Sequence, residues 1–338
     1  MAENEREVLL SIKNLNVKYV VKSEGVCHAV SDVSLDLHKG ETLGLVGETG
    51  AGKTSIALSI MGLLPFPPAE VSKDSVIEFE GDNLLQMSNH KLRKIRGNKI
   101  SMIFQDPMSA LNPVDRVDIQ IAEIIKLHNK MSKEEAIKKA WETMELVGIP
   151  MERGCEYPHQ FSGGMKQRII IAIALACNPS LIIADEPTSA LDVTIQAQVL
   201  DLMNELKKKI DTSMILITHD LGIVAHMCDR LAVIYSGEIV EYGDTETIFD
   251  NTRHPYTEGL FNSLPNANIG AKYLTPIPGS MPDPMEMTEG CKFAPRCKYC
   301  TEECKMAKIP FIEYEPGHFT RCLHHSFVER GTKNGNNA

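Results

Sequence analysis

No apolar run in the 338 residues approaches the roughly 20 residues that a membrane-crossing helix needs; the longest, such as Ile169 to Cys177, fall well short. Basic charge is also scarce. Lys and Arg number 35 against 45 Asp and Glu, a formal net charge of −10, so there is no basic footprint for nucleic acid. The opening segment MAENEREV is charged and has no apolar signal core. A sustained heptad run is missing, as is a second glycine-rich phosphate loop. Together these absences lead us to expect a soluble cytoplasmic chain that reaches a membrane only through a partner.

What is present begins with GETGAGKT: Gly47, Glu48, Thr49, Gly50, Ala51, Gly52, Lys53 and Thr54. It follows the apolar run Thr42 to Val46 and precedes a helix-like stretch, Ser55 to Leu64. Strand, glycine-rich turn and helix in that order make a phosphate-binding loop, where a chance glycine turn would lack the two flanks. The glycines let backbone N–H groups turn inward around phosphate oxygens, and the helix start adds its dipole. Lys53 would then reach the β- and γ-phosphates, with the Thr54 hydroxyl on Mg²⁺ and Ser55 in the first helical turn. The chain is expected to bind a nucleoside triphosphate.

A triphosphate site needs a further metal-binding carboxylate. Leu181-Ile182-Ile183-Ala184 reads as a buried parallel strand, and Asp185-Glu186-Pro187 stand at its carboxyl end, where open α/β sheets hold ligands. Asp185 would hold Mg²⁺ and Glu186 would activate water as general base. Alone, the acid pair would better suit a helix start, capping through the dipole; 132 positions beyond a phosphate loop, the catalytic reading is preferred.

A second anion-binding pattern narrows the class. Ser162-Gly163-Gly164, inside FSGGMKQR, places a hydroxyl and bare backbone at a helix start. One nucleotide does not need two such loops, so the second would serve a nucleotide on a partner chain. Here the sequence resembles the ATP-binding-cassette (ABC) ATPases, whose signature is LSGGQ, with Phe161 in place of Leu and Met165 in place of Gln. The resemblance implies a head-to-tail dimer with ATP sandwiched between phosphate loop and opposing signature. It also assigns roles. Tyr19, ending strand-like Val8 to Tyr19, matches the aromatic that stacks on adenine. Gln105, in MIFQDP, matches the glutamine linking γ-phosphate and Mg²⁺ to a transmembrane partner. Ser189-Ala190-Leu191-Asp192 matches the loop crossing the dimer, and His219, in LITHD, the histidine that contacts γ-phosphate.

Beyond Asp250 the composition shifts to Pro, Gly and Cys, and a domain boundary is expected there, dividing 1–250 from 251–338. The later part holds five of the nine cysteines: Cys291, Cys297, Cys300, Cys304 and Cys322. In a cytosolic chain clustered thiols suit metal better than disulfides. This segment, with HPYTEGLFNSLP from His254 to Pro265, resembles the C-terminal domain of dipeptide/oligopeptide importer ATPases, some of which hold a [4Fe–4S] cluster. Cys291, Cys297, Cys304 and Cys322 match the four-cysteine pattern. Cys300 is an extra, and the spacing Cys297-x2-Cys300-x3-Cys304 also suits ferredoxin-like ligation. Structural zinc remains the alternative. His324 and His325 are expected to be exposed rather than liganding. A metal would replace the core that so apolar-poor a segment cannot build. ATP binding is expected to be indifferent to this module, because the phosphate loop lies far off in sequence.

The expected fold is α/β: a P-loop ATPase with a RecA-like core, an antiparallel β-subdomain, a helical subdomain over about 106–177 and a small Cys-rich C-terminal module. The expected function is ATP hydrolysis powering peptide import at the cytoplasmic face of the cell membrane. Partners would be two transmembrane permease subunits, a sister ABC ATPase forming a heterodimer and, indirectly, an extracytoplasmic solute-binding protein. SIMGLLP (Ser59 to Pro65) and His226 to Glu241 resemble the first of the two ATPases such systems encode. Oligosaccharides or nickel are alternative cargoes, since cargo choice lies with other chains. A soluble ABC ATPase of repair or translation would need a coiled coil or a second cassette, and the cysteine module could instead be a redox sensor.

Overall fold

The computed structural model describes residues 7–22, 25–106, 110–189, 191–263, 276–286 and 288–324. Pro107, Ala190, Pro265 and His325, which belong to the sequence patterns above, lie outside the described residues.

Two sheets carry the fold. The first is antiparallel and comprises β1 (Val8–Val21), β2 (Gly25–His38), β4 (Ala69–Val71), β5 (Val76–Phe79) and β6 (Asp82–Asn83). Its order is β2-β1-β5-β6, with β4 also on β1. The second holds β3 (Thr42–Val46), β7 (Ile100–Ile103), β8 (Leu181–Asp185), β9 (Ser213–Thr218), β10 (Arg230–Tyr235), β11 (Glu238–Asp244), β12 (Ile312–Glu315) and β13 (His318–Thr320). Its order is β12-β13-β11-β10-β3-β9-β8-β7, parallel from β10 to β7. Every residue of β3, β8 and β9 is buried. That is why these strands read as continuous apolar runs rather than alternating ones.

The helical arm packs Val117–His128, Lys133–Leu146 and Gly163–Leu175 through Ile121, Ile125, Ala140, Met144 and Ile169, all fully buried. Ser132 starts the middle helix as a capping box: its Oγ accepts the Glu135 N–H at 3.2 Å, and Glu135 accepts the Ser132 N–H at 2.7 Å. No helix among the described residues is long and apolar enough to cross a membrane.

The C-terminal part does not stand apart as a small metal-stapled module. Strand β13 pairs antiparallel with β11 and so extends the core sheet, matching Glu241 with Thr320 and Tyr242 with Phe319. Phe293 joins the main hydrophobic cluster, with Cys291 and Cys297 packed against it. A segment poor in apolar residues thus borrows the core of its neighbour instead of building one.

The join has a polar centre. Glu241 is fully buried; it accepts N–H bonds from Arg253 at 2.6 Å and His254 at 3.1 Å, and one of its oxygens lies 2.9 Å from Nε2 of buried His318. Burial pushes the His254 imidazole down to about 3, leaving it neutral and able to accept the Tyr256 N–H at a helix start. Replacing Glu241 with Ala strands several buried donors, so Glu241→Ala is expected to cost about 3 kcal/mol of stability. Urea unfolding with amide exchange at residues 318–320 would measure this; unchanged protection there would contradict the assignment.

Candidate functional site

The phosphate loop hangs between β3 and the helix Lys53–Met61. Two of its glycines are demanded by contact. A Cβ at Gly47 would stand 2.1 Å from the Ile234 carbonyl oxygen, and one at Gly52 would stand 2.3 Å from that of Ala29. Gly52 also has φ near +101°, which L side chains rarely adopt. Because Lys53, Thr54 and Ser55 form the first helical turn, their N–H groups have no acceptor within the helix and can serve an anion.

Lys53 is buried, and its ammonium donates to the Gly47 carbonyl at 2.7 Å and the Glu48 carbonyl at 3.0 Å. Burial lowers its pKa from the ordinary value, against the opposing pull of Glu186, Asp185 and Glu48. The Thr54 hydroxyl donates to Asp185 Oδ2 at 2.8 Å. Asp185, at the end of β8, is 2% exposed. Burial raises its carboxyl above the usual range and Glu186 adds to the rise, while Thr54 and Lys53 oppose it. A hydroxyl and a carboxylate in contact beside a lysine are the donor set for a divalent cation on a phosphate.

Glu186 follows with φ +47° and its N–H bound to the Ile217 carbonyl at 2.9 Å. Its carboxylate is approached from two sides: Gln105 Nε2 donates to it at 3.1 Å, and His219 Nδ1 lies 3.2 Å away. Three residues spread over positions 105 to 219 therefore meet at one carboxylate. Ser189 Oγ donates to the Gln105 carbonyl at 3.4 Å, and Asp192 caps the next helix by accepting the Ile195 N–H at 3.0 Å. Tyr19 stands beside the loop, its hydroxyl 3.2 Å from Ser55 Oγ.

The signature lies elsewhere on the surface. Ser162 and Gly163 are exposed and Gly164 half-buried. The Ser162 hydroxyl caps its helix by accepting the Met165 N–H at 3.4 Å. Glu48, within the loop, reaches the C-terminal part: its N–H goes to the Tyr256 hydroxyl at 2.9 Å and its carboxylate to Arg296. No local pattern signals this, since the partners lie 208 and 248 positions away.

Cys291, Cys297, Cys300, Cys304 and Cys322 line one cavity of about 20 Å³, with His324 in its wall. Burial pushes Cys291 up to about 11 and Cys322 to about 12, so the thiols resist ionising as they stand. Among the described residues, no group of three or more His, Cys, Asp or Glu side chains is disposed to hold a metal ion. The expected cluster therefore finds no support in this geometry. His324 is half-buried and lies 3.0 Å from Thr301 Oγ1, where an exposed side chain was expected.

A parallel sheet with a phosphate loop, paired acids at a strand end and a helical arm defines an ATP-binding-cassette ATPase. Residues 30–189 match the ABC transporter family, and residues 240–304 match the oligopeptide/dipeptide transporter C-terminal region. The oligopeptide transport ATP-binding protein OppD of Bacillus subtilis is 48% identical over 316 residues, 93% of this chain and 88% of that protein. The dipeptide transport ATP-binding protein DppD of the same organism is 52% identical over 293 residues, 86% of this chain and 87% of the relative. Among solved structures, the dimeric post-hydrolysis ATP-binding cassette MJ0796 bound to ADP and Pi is 26% identical with a TM-score of 0.62, covering 70% of this chain and 98% of that one. The chain belongs to the family of ABC transporter ATP-binding subunits of the oligopeptide/dipeptide type.

Gly52→Ala is expected to lower stability by about 1–3 kcal/mol, through the clash and the left-handed backbone, and to weaken nucleotide binding with it. Thermal unfolding and ATP titration read both; an unchanged melt and affinity would mean that the loop does not need its approach to Ala29.

Proposed function

We propose that this chain is the ATP-hydrolysing subunit that powers peptide import by a binding-protein-dependent ABC transporter. Residues 1–250 would carry the ATPase, and 251–338 the importer-type C-terminal part. The observation that carries the reading is Glu186, held between Gln105 and His219 next to the Thr54–Asp185 pair. The match of residues 240–304 and the names of the relatives favour peptides over oligosaccharides or nickel.

In this reading Lys53 and the N–H groups at the helix start hold the triphosphate, and Tyr19 supports the adenine. Thr54 and Asp185 would hold Mg²⁺, which when bound neutralises charge developing on the phosphates. Glu186 takes the proton of the attacking water as its oxygen bonds to the γ-phosphorus and the bond to the bridging oxygen breaks, leaving ADP and phosphate. Gln105 and His219 keep that carboxylate oriented. Ser162, Gly163 and Gly164 would meet the nucleotide of a second ATPase. The exposure of Ser162 and Gly163 at a helix start supports this, as does the dimeric state named for MJ0796. A sister ATPase, two permease subunits and the cytoplasmic membrane face complete the assembly, with the chain attached peripherally. Exposed Phe104, beside Gln105, suits a docking groove for a permease.

We also infer that Cys291, Cys297, Cys304 and Cys322 close around a metal once they ionise; their place on a single cavity supports this. Four thiolates there would suit a [4Fe–4S] core, with one structural zinc as the alternative.

Glu186→Gln is expected to retain ATP binding while steady-state hydrolysis in the assembled transporter falls about 10²–10⁴-fold. Hydrolysis at the unsubstituted rate would remove Glu186 from its role. Metal analysis of anaerobically purified chain decides the cage: about four iron and four sulfide per chain support the cluster, about one zinc supports the alternative, and neither would leave the thiols without a metal role.

A further inference from the structure

The phosphate loop is gripped from the cysteine-lined segment. Arg296 donates to Glu48 through both terminal nitrogens, Nη1 to Oε2 at 2.8 Å and Nη2 to Oε1 at 3.0 Å. This two-pronged fit uses the planar fork that only Arg offers. The rest of the guanidinium is anchored: Nε donates to the Pro278 carbonyl at 2.8 Å, and Nη1 lies 3.3 Å from the Tyr235 hydroxyl. The Arg296 side chain is 6% exposed and that of Glu48 30%. A second grip comes from Tyr256, whose hydroxyl accepts the Glu48 N–H at 2.9 Å. Tyr256, Tyr235 and Phe293 pack at tilted and edge-on angles in one aromatic group with centroids 4.6–5.5 Å apart, so both grips rest on one base. Met281, from the segment before the cysteines, lies against Gly50, its methyl carbon 3.4 Å from where a Cβ would be.

Arg296 sits on a short turn, Ala294–Arg296, bracketed by two of the cavity cysteines. The Ala294 N–H donates to the Cys291 carbonyl at 3.0 Å, the Cys297 N–H to the Ala294 carbonyl at 3.3 Å, and the Cys291 N–H to the Cys304 carbonyl at 2.7 Å. Any event that draws Cys291 and Cys297 together or lets them part moves the turn that carries Arg296. Lys53 donates to the Glu48 carbonyl, so a shift of Glu48 reaches the phosphate-binding lysine through a single residue.

We propose that Arg296 is a positioning residue for ATP binding: it clamps Glu48 and so makes nucleotide affinity depend on how the cysteine cavity is closed. The proposal rests on the reading of Gly47 to Thr54 as the triphosphate loop. It reverses the expectation that ATP binding ignores this segment. Glu186, Gln105 and His219 leave from other strands, so the clamp acts on affinity rather than on the chemical step.

The test uses full-length chain, with MgATP affinity from titration and kcat from the assembled transporter. Arg296→Ala is expected to weaken MgATP binding about tenfold, which is about 1.4 kcal/mol, with kcat at saturating ATP within about twofold of the unsubstituted value. Arg296→Lys recovers part of the loss, because a point charge replaces a fork. Cys297→Ser weakens binding in the parent chain but adds little in the Arg296→Ala background. Unchanged affinity in Arg296→Ala, or fully additive losses with Cys297→Ser, overturns the clamp. Should Arg296→Ala lose its cooperative melt, Arg296→Gln carries the same expectation with more of the packing kept. Lys53→Ala separates the two readings: lost binding there with normal Arg296→Ala removes only the clamp, and normal binding there overturns the loop and the clamp together.

Discussion

The site depends on the register of a parallel sheet. Val46 pairs with Thr218, Ala184 with Leu216 and with Ile103, and Asp185 with Ile217. These pairings bring the carboxyl ends of β3, β7, β8 and β9 level, so four chain crossings leave the sheet at one edge. The phosphate loop follows Val46, Asp185 and Glu186 close β8, Gln105 follows β7 and His219 follows β9. A one-residue slip of any strand would move its functional residue by about 3.3 Å and turn the side chains to the other face. Complete burial of β3, β8 and β9 makes such a slip costly, at about 1.5–3 kcal/mol for each large apolar side chain exposed.

The site's geometry therefore rests on backbone pairing, while its charged groups are paired with one another and with the loop. Lys53 is held by two loop carbonyls, Asp185 by the Thr54 hydroxyl, and Glu186 by Gln105 and His219. Each group is paired in a way that a nucleotide can replace. An unpaired Lys53 in this buried place would be costly, and the Gly47 and Glu48 carbonyls satisfy its ammonium.

The C-terminal part adds a second layer of control over the same loop. It contributes strand β13, buried His318 against Glu241, the aromatic group of Tyr256 and Phe293, and the Arg296 fork. Lys292 reaches the Ser236 carbonyl at 2.7 Å, and Arg321 reaches Asp32 at 3.0 Å, binding the segment to both sheets.

Local chemistry made several features legible along the chain. GETGAGKT between an apolar strand and a helix pointed to a phosphate loop, apolar runs marked β8 and β9, and Ser132 with Glu135 announced a helix start. Motifs also named Asp185, Glu186, Gln105 and His219, although the meeting of Gln105 and His219 at the Glu186 carboxylate waited on strand order. Tertiary structure alone decided the rest: that β7 forms the edge beside β8, that β13 joins β11, that Glu48 answers to Arg296 248 positions away. The cysteines show the limit most clearly. Their spacing suggested four ligands and one extra, yet the fold sets all five on one cavity without metal-ligand geometry. Spacing along a chain constrains turns and caps within a few residues; which distant side chains meet is chosen by packing and by the pairing of buried charge.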